Sequence, residues 1–221
     1  RGFRPNARII RIIYSVGLPS IIMQSITSVM TYGMNLILIS FSATAVTVLG
    51  IYFKLQSFIF MPIFGLNNGM IPIIAYNYGS RSKKRIMDTA KLSIAIAIGI
   101  MLLGLVIFQV FTPQLLMLFN ASDSLLEIGI PALRTISLSF LFAGYCIITG
   151  SVFQALGNGV YSLIISVARQ LLCILPLAYI FSHVWGLHAV WFAFPMAEII
   201  STLLTSILFK RIYNKKIKVL E

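Results

Sequence analysis

The chain is short of charge, and of negative charge above all. Only 10% of its 221 residues are charged, with 5 Asp+Glu against 17 Lys+Arg and a net charge of +12. Soluble domains carry about 25% charged residues, so this composition excludes an ordinary water-soluble fold. Cysteine is nearly absent. Cys146 and Cys173 both fall in apolar runs, where a free thiol behaves as a small hydrophobe, so neither a disulfide framework nor a metal site is indicated. The two histidines, His183 and His188, stand near the expected outer surface, and no HExxH or GxSxG pattern occurs. No catalytic constellation is left from which to build an enzyme. The chain opens at Arg1 with neither Met nor a signal-peptide pattern, and reads as a piece of a longer protein.

What is present is apolar: 59% of residues are hydrophobic and the mean hydropathy is +0.97. The apolar runs predict an all-α polytopic membrane protein with six transmembrane helices, near 15–40, 49–78, 87–111, 124–153, 160–182 and 187–209. Breakers fill the connections. Thr112-Pro113 stops the third span and the Asn120–Asp123 stretch caps the fourth. Prolines put breaks in four further spans, at Pro19, Pro131, Pro176 and Pro195, while Pro62 and Pro72 soften the second.

Thirteen of the seventeen cations lie in three clusters, Arg1 to Arg11, Arg81 to Arg85 and Lys210 to Lys218. All three fall on one side of an even-numbered bundle, so both ends are expected to be cytoplasmic, and a nucleic-acid footprint is not. Residues 1–14 read as a basic amphipathic approach carrying Ile9, Ile10, Ile12 and Ile13, residues 15–209 as the bundle, and 210–221 as a basic cytoplasmic tail.

Polar residues inside the spans mark candidate cavity positions. Gln24, Ser28, Thr31 and Asn35 recur at helical steps, as do Ser162, Ser166, Arg169, Gln170 and Cys173 in span five and Glu198, Ser201, Thr202 and Thr205 in span six. Span two adds Lys54, Gln56, Asn67 and Asn68, and span four adds Arg134. An ionised group at depth costs about 2.5–3.5 kcal/mol on insertion scales. Arg169 and Glu198 lie about 13 and 16 Å into consecutive antiparallel spans at 1.5 Å per residue. They therefore read as an ion pair; proton or ion coupling by Glu198 is the other reading.

The stretch MPIFGLNNGMIPIIAYNYGSRSKKR, Met61–Arg85, resembles the eighth helix and following loop of multidrug and toxic compound extrusion (MATE) transporters. GLPS at Gly17–Ser20, SVFQALGN at Ser151–Asn158, ARQLLCILPLAYIF at Ala168–Phe181 and WGLHAVWFAFPMAEIIS at Trp185–Ser201 continue the resemblance in family order, most like the bacterial multidrug-efflux branch. It implies one lobe, helices seven to twelve, of a twelve-helix transporter in a bacterial plasma membrane. The partner would be an N-terminal six-helix lobe. The implied activity is efflux of drugs or small amphipathic cations by alternating access, driven by H⁺ or Na⁺ with no further cofactor. Where some branches place a carboxylate on the seventh helix this chain has Gln24, and the fourth span has no acid beyond Glu127 at its outer end. Coupling is thus expected from the other lobe. A lipid-linked oligosaccharide flippase of the same superfamily, using Lys54, Arg134 and Arg169 on anionic head groups, is the alternative within transport. A non-transporting scaffold is the alternative outside it.

Overall fold

The computed structural model describes residues 6–220, with no side chains at positions 12, 15, 16, 19 and 20. The first five residues of the basic approach, and the side chains of Ile12 and Pro19, lie outside it. The described residues form helices joined by short turns. α1 (Ala7–Ile39), α2 (Ala43–Gly79) and α3 (Lys83–Val110) are three long antiparallel helices. A short α4 (Thr112–Met117) crosses to the pair α5 (Asp123–Ser137) and α6 (Phe140–Ala155). Span five is α7 (Gly159–Val167), a π-helical segment (Ala168–Ile174) and α8 (Leu175–Val184). A single turn, α9 (Leu187–Val190), leads into α10 (Ala193–Ile212), which ends in a second π segment (Tyr213–Ile217).

Five helices are long and apolar enough to cross a membrane, and α5 with α6 makes a sixth span bent by 49°. The chain is therefore an all-α integral membrane fold, as its composition requires. Local chemistry explains the boundaries. Ser42 caps α2 by accepting from the Ala45 N–H at 3.1 Å, so this helix begins six residues before the expected span. Pro113 falls in the first turn of α4, where its missing N–H costs nothing. Within the Asn120–Asp123 stretch it is Ser122 that caps α5, accepting from the Leu125 N–H at 3.4 Å.

The break in span four is not at Pro131. α5 runs through Pro131 and the chain bends at Leu138 and Ser139. There the Leu138 N–H reaches only the Thr135 carbonyl, which frees the Arg134 carbonyl from the helical ladder. Ser137 Oγ donates to that carbonyl at 2.9 Å, and Gln109 Nε2, from α3, donates to it at 2.8 Å. A bend deep in a membrane protein persists only when such freed groups find partners.

The core is a van der Waals assembly, since lipid supplies no hydrophobic force between helices. Its aromatic centre joins four helices. Phe108 and Phe140 meet edge to face at 5.2 Å between centroids, Phe60 meets Phe140 at 5.5 Å, and Tyr52 meets Phe194 at 6.1 Å. α3 and α6 approach closely because Gly144 faces the backbone of Ala97, where a Cβ would stand 3.2 Å from the Ala97 carbonyl oxygen.

The C-terminal π segment folds back on the bundle rather than trailing away. Ile217 is fully buried, Lys216 Nζ donates to the Leu156 carbonyl at 2.7 Å, and the same ammonium stands 5.7 Å over the Tyr78 ring. Lys83 stands 5.9 Å over Tyr213.

Candidate functional site

Two adjoining cavities open inside the bundle. The larger, about 460 Å³, is lined from α1 by Gln24 and Thr27, from α2 by Tyr52, Gln56, Ser57 and Phe60, and at the span-four bend by Ser139. Ser166, Arg169 and Gln170 from span five and Phe194 and Glu198 from α10 complete it. The smaller, about 390 Å³, adds Asn67 and Asn68 from α2, Cys146 and Gln154 from α6, and Ser162. Gln24, Ser166 and Arg169 line both, together with Met23, Phe64 and Ile147. Five of the six spans thus contribute walls, and α3 alone does not.

Arg169 and Glu198 form the only ion pair among the described residues. Nη1 of the arginine donates to both carboxylate oxygens, at 3.2 and 3.4 Å. The arginine side chain keeps 27% of its surface exposed and the glutamate 7%, so the cavity meets the cation before the anion. Arg169 Nε is buried with no partner among the described residues. Next to it, Gln170 Nε2 donates to Ser166 Oγ at 2.8 Å.

The π segment fixes where these groups point. Pro176 has no N–H, so the carbonyl of Leu172, four residues earlier, loses its α-helical partner, and the wider turn over Ala168–Ile174 lies directly before this gap. Arg169 and Gln170 lie within this segment and both line the larger cavity. Such turns gather at functional sites.

The candidate positions divide. Gln24, Gln56, Asn67, Asn68, Arg169 and Glu198 line the cavities. Ser28, Thr31 and Asn35 are not among the lining residues of either. The buried stripe of α1 is Ile26, Met30, Met34 and Leu38, and at 100° per residue the polar seam runs about 110° round the helix from it. Thr31 Oγ1 instead donates to the Thr27 carbonyl at 2.9 Å. Lys54 is exposed on the far side of α2, its ammonium 5.8 Å from the Phe119 ring. Arg134 is exposed as well, and its Nε donates to Thr112 Oγ1 at 3.4 Å. The span-six seam does face inward: Ser201 and Thr205 are buried, and Thr202 Oγ1 donates to the Glu198 carbonyl at 2.8 Å.

Tyr52, Ser139 and Thr27 are lining residues that periodicity did not single out. Ser139 reaches the cavity only because span four bends beside it. Thr27 belongs to the same face as Met23 and Met30, which reads as packing until the helix is placed.

The chain resembles solved and curated proteins along nearly its whole length. It is 26% identical over 212 residues to the multidrug export protein MepA of Staphylococcus haemolyticus (strain JCSC1435), covering 96% of this chain and 46% of that protein. A solved structure of a multidrug resistance MATE family transporter of the MOP superfamily in its outward-facing conformation matches with a TM-score of 0.90 at 26% identity, over 99% of this chain and 50% of that one. An inward-facing structure of such a transporter matches with a TM-score of 0.88 at 25% identity, over 99% and 51%. The chain spans about half the length of the curated relatives it matches, the extent of a single lobe. The MatE family model matches residues 19–180, and the chain belongs to that family of membrane transporters.

Proposed function

We propose that the chain is the C-terminal lobe, helices seven to twelve, of an ion-coupled antiporter that exports drugs or organic cations by alternating access. It would sit in a bacterial plasma membrane with both ends cytoplasmic. The observation that carries this reading is the pair of cavities meeting at Gln24, Ser166 and Arg169, polar groups set in largely apolar walls built from five of six spans. Relatives of the same fold have been solved open to either side, and a cavity walled by several spans is what a rocking lobe would carry between two such states. The clustering of Lys and Arg at one side supports the orientation.

Glu198 is the one carboxylate in these walls, and Arg169 already holds it. Coupling to H⁺ or Na⁺ therefore belongs to acidic groups of the N-terminal lobe. The flippase reading drew on three cations, of which Arg169 alone lines a cavity, so the exporter reading is preferred. A scaffold would have no use for these walls.

The test is efflux by the full-length protein in proteoliposomes loaded with ethidium, with the Na⁺ and pH gradients imposed separately. Efflux driven by one gradient is expected. Its absence under both, with the protein folded, overturns the proposal.

A further inference from the structure

The geometry points to an oxyanion of an amphiphilic substrate, a carboxylate or phosphate ester, as the group that this lobe receives, with Arg169 as its donor. This rests on the exporter reading for the substrate's route, but not for its binding.

Donor accounting carries the argument. A guanidinium has five N–H groups in a planar fork suited to carboxylate and phosphate. Arg169 donates to Glu198 through Nη1 alone. Nη2 makes no hydrogen bond to a described residue, and Nε is buried without one. Nη2 is therefore the nitrogen left to donate to a group in the cavity, and the buried Nε carries a further unpaired N–H behind it. The pair is also oriented: the glutamate lies deeper than the arginine, so the dipole turns its positive end toward the cavity.

Neighbouring groups extend this donor set. Ser166 Oγ accepts from Gln170, which leaves its own proton free, and the Gln24 amide makes no hydrogen bond to a described residue. Both line the two cavities with Arg169. Aromatic rings of Tyr52, Phe60 and Phe194 line the same cavity, so one molecule can rest an apolar body on them while its anionic end meets the fork. A carboxylate trap for cations within this lobe would need the reverse arrangement, with Glu198 exposed and Arg169 behind it, so the cationic group of an exported drug is left to the other lobe.

The experiment measures equilibrium binding to the full-length transporter in nanodiscs with two aromatic probes of opposite charge, naphthalene-1-acetate and 1-naphthylmethylammonium. The wild-type protein is compared with the double variant Arg169→Gln with Glu198→Gln, which removes the pair without leaving a lone buried charge. A loss of tenfold or more in affinity for naphthalene-1-acetate is expected, with 1-naphthylmethylammonium changed by less than twofold. Free acetate at the same concentration should fail to displace the naphthyl probe. An unchanged affinity for naphthalene-1-acetate, an equal loss for both probes, or displacement by acetate overturns the proposal. Should the double variant fail to fold, Arg169→Lys keeps the charge but loses the fork, and the same selective loss is required of it. Because binding is read without a gradient, failure here leaves the efflux result standing, and the reverse also holds.

Discussion

At the scale of single residues, the Arg169–Glu198 pair behaves as one unit. Removing one member strands the other in a poorly solvated wall, whereas removing both leaves neutral groups that can hydrogen-bond. Arg169→Gln or Glu198→Gln alone should lower stability by about 3 kcal/mol, near the low end for buried pairs because the arginine is partly exposed. The double variant should cost far less than the two single losses together. Thermal melts of the four proteins in one detergent check this, and additive losses would show that the groups act separately. The pairing was legible beforehand, since two charges at matched depth on consecutive antiparallel spans have few other partners. The orientation of the pair was not, because depth along a helix says nothing of which member lies nearer the cavity.

At the scale of elements, the spacing of small residues sets how near the helices can come. α6 meets α3 at Gly144, and any Cβ there meets the Ala97 backbone at 3.2 Å. Gly144→Val should therefore force α3 and α6 apart and destabilise the lobe by about 1–3 kcal/mol, the usual cost of overpacking. The same change at Gly99, where a Cβ would find nothing within 4 Å, should be near neutral in the same melts. Elements are also where the sequence was least informative. Proline marks a missing N–H, which made Pro131 the natural site for the bend in span four. The bend lies instead where Ser137 and Gln109 can satisfy the carbonyl it frees. That partner is 25 residues away in the chain, and periodicity within one helix cannot find it. The π segment was hidden for a similar reason, since the polar residues of span five keep near-helical spacing through it. The number of spans, by contrast, follows from apolar length alone and was readable throughout.

At the scale of the whole molecule, the cavity should be open to water at some stage of transport and the outer faces should not. Cysteines replacing Gln56 and Asn67 in the full-length protein should react with a hydrophilic thiol reagent, at rates that change when substrate is added. A cysteine at Leu103, exposed on the face of α3 opposite the bundle, should meet lipid and stay unreactive. Reaction at Leu103 with protection at the other two would place the water path elsewhere. Such experiments use the full-length protein, because the chain spans about half the length of the relatives it matches.

The π segment has a consequence of its own. A π turn holds one residue more than an α turn over nearly the same rise, so Ala168–Ile174 is in effect an insertion that span five has absorbed. Loss of one residue there would not shorten the span greatly, but would let it heal into a regular α-helix. The two ends of the span would keep their places, because the residue lost is the one that the wide turn had absorbed. Leu175, now seated against Gly33, and Arg169, now against Glu198, would both keep their neighbours if the lost residue lies between them. The segment thus acts as a phase buffer: a single-codon deletion within it would be tolerated, whereas the same loss in the α-helical part of span five would turn one flank by about 100° against the other.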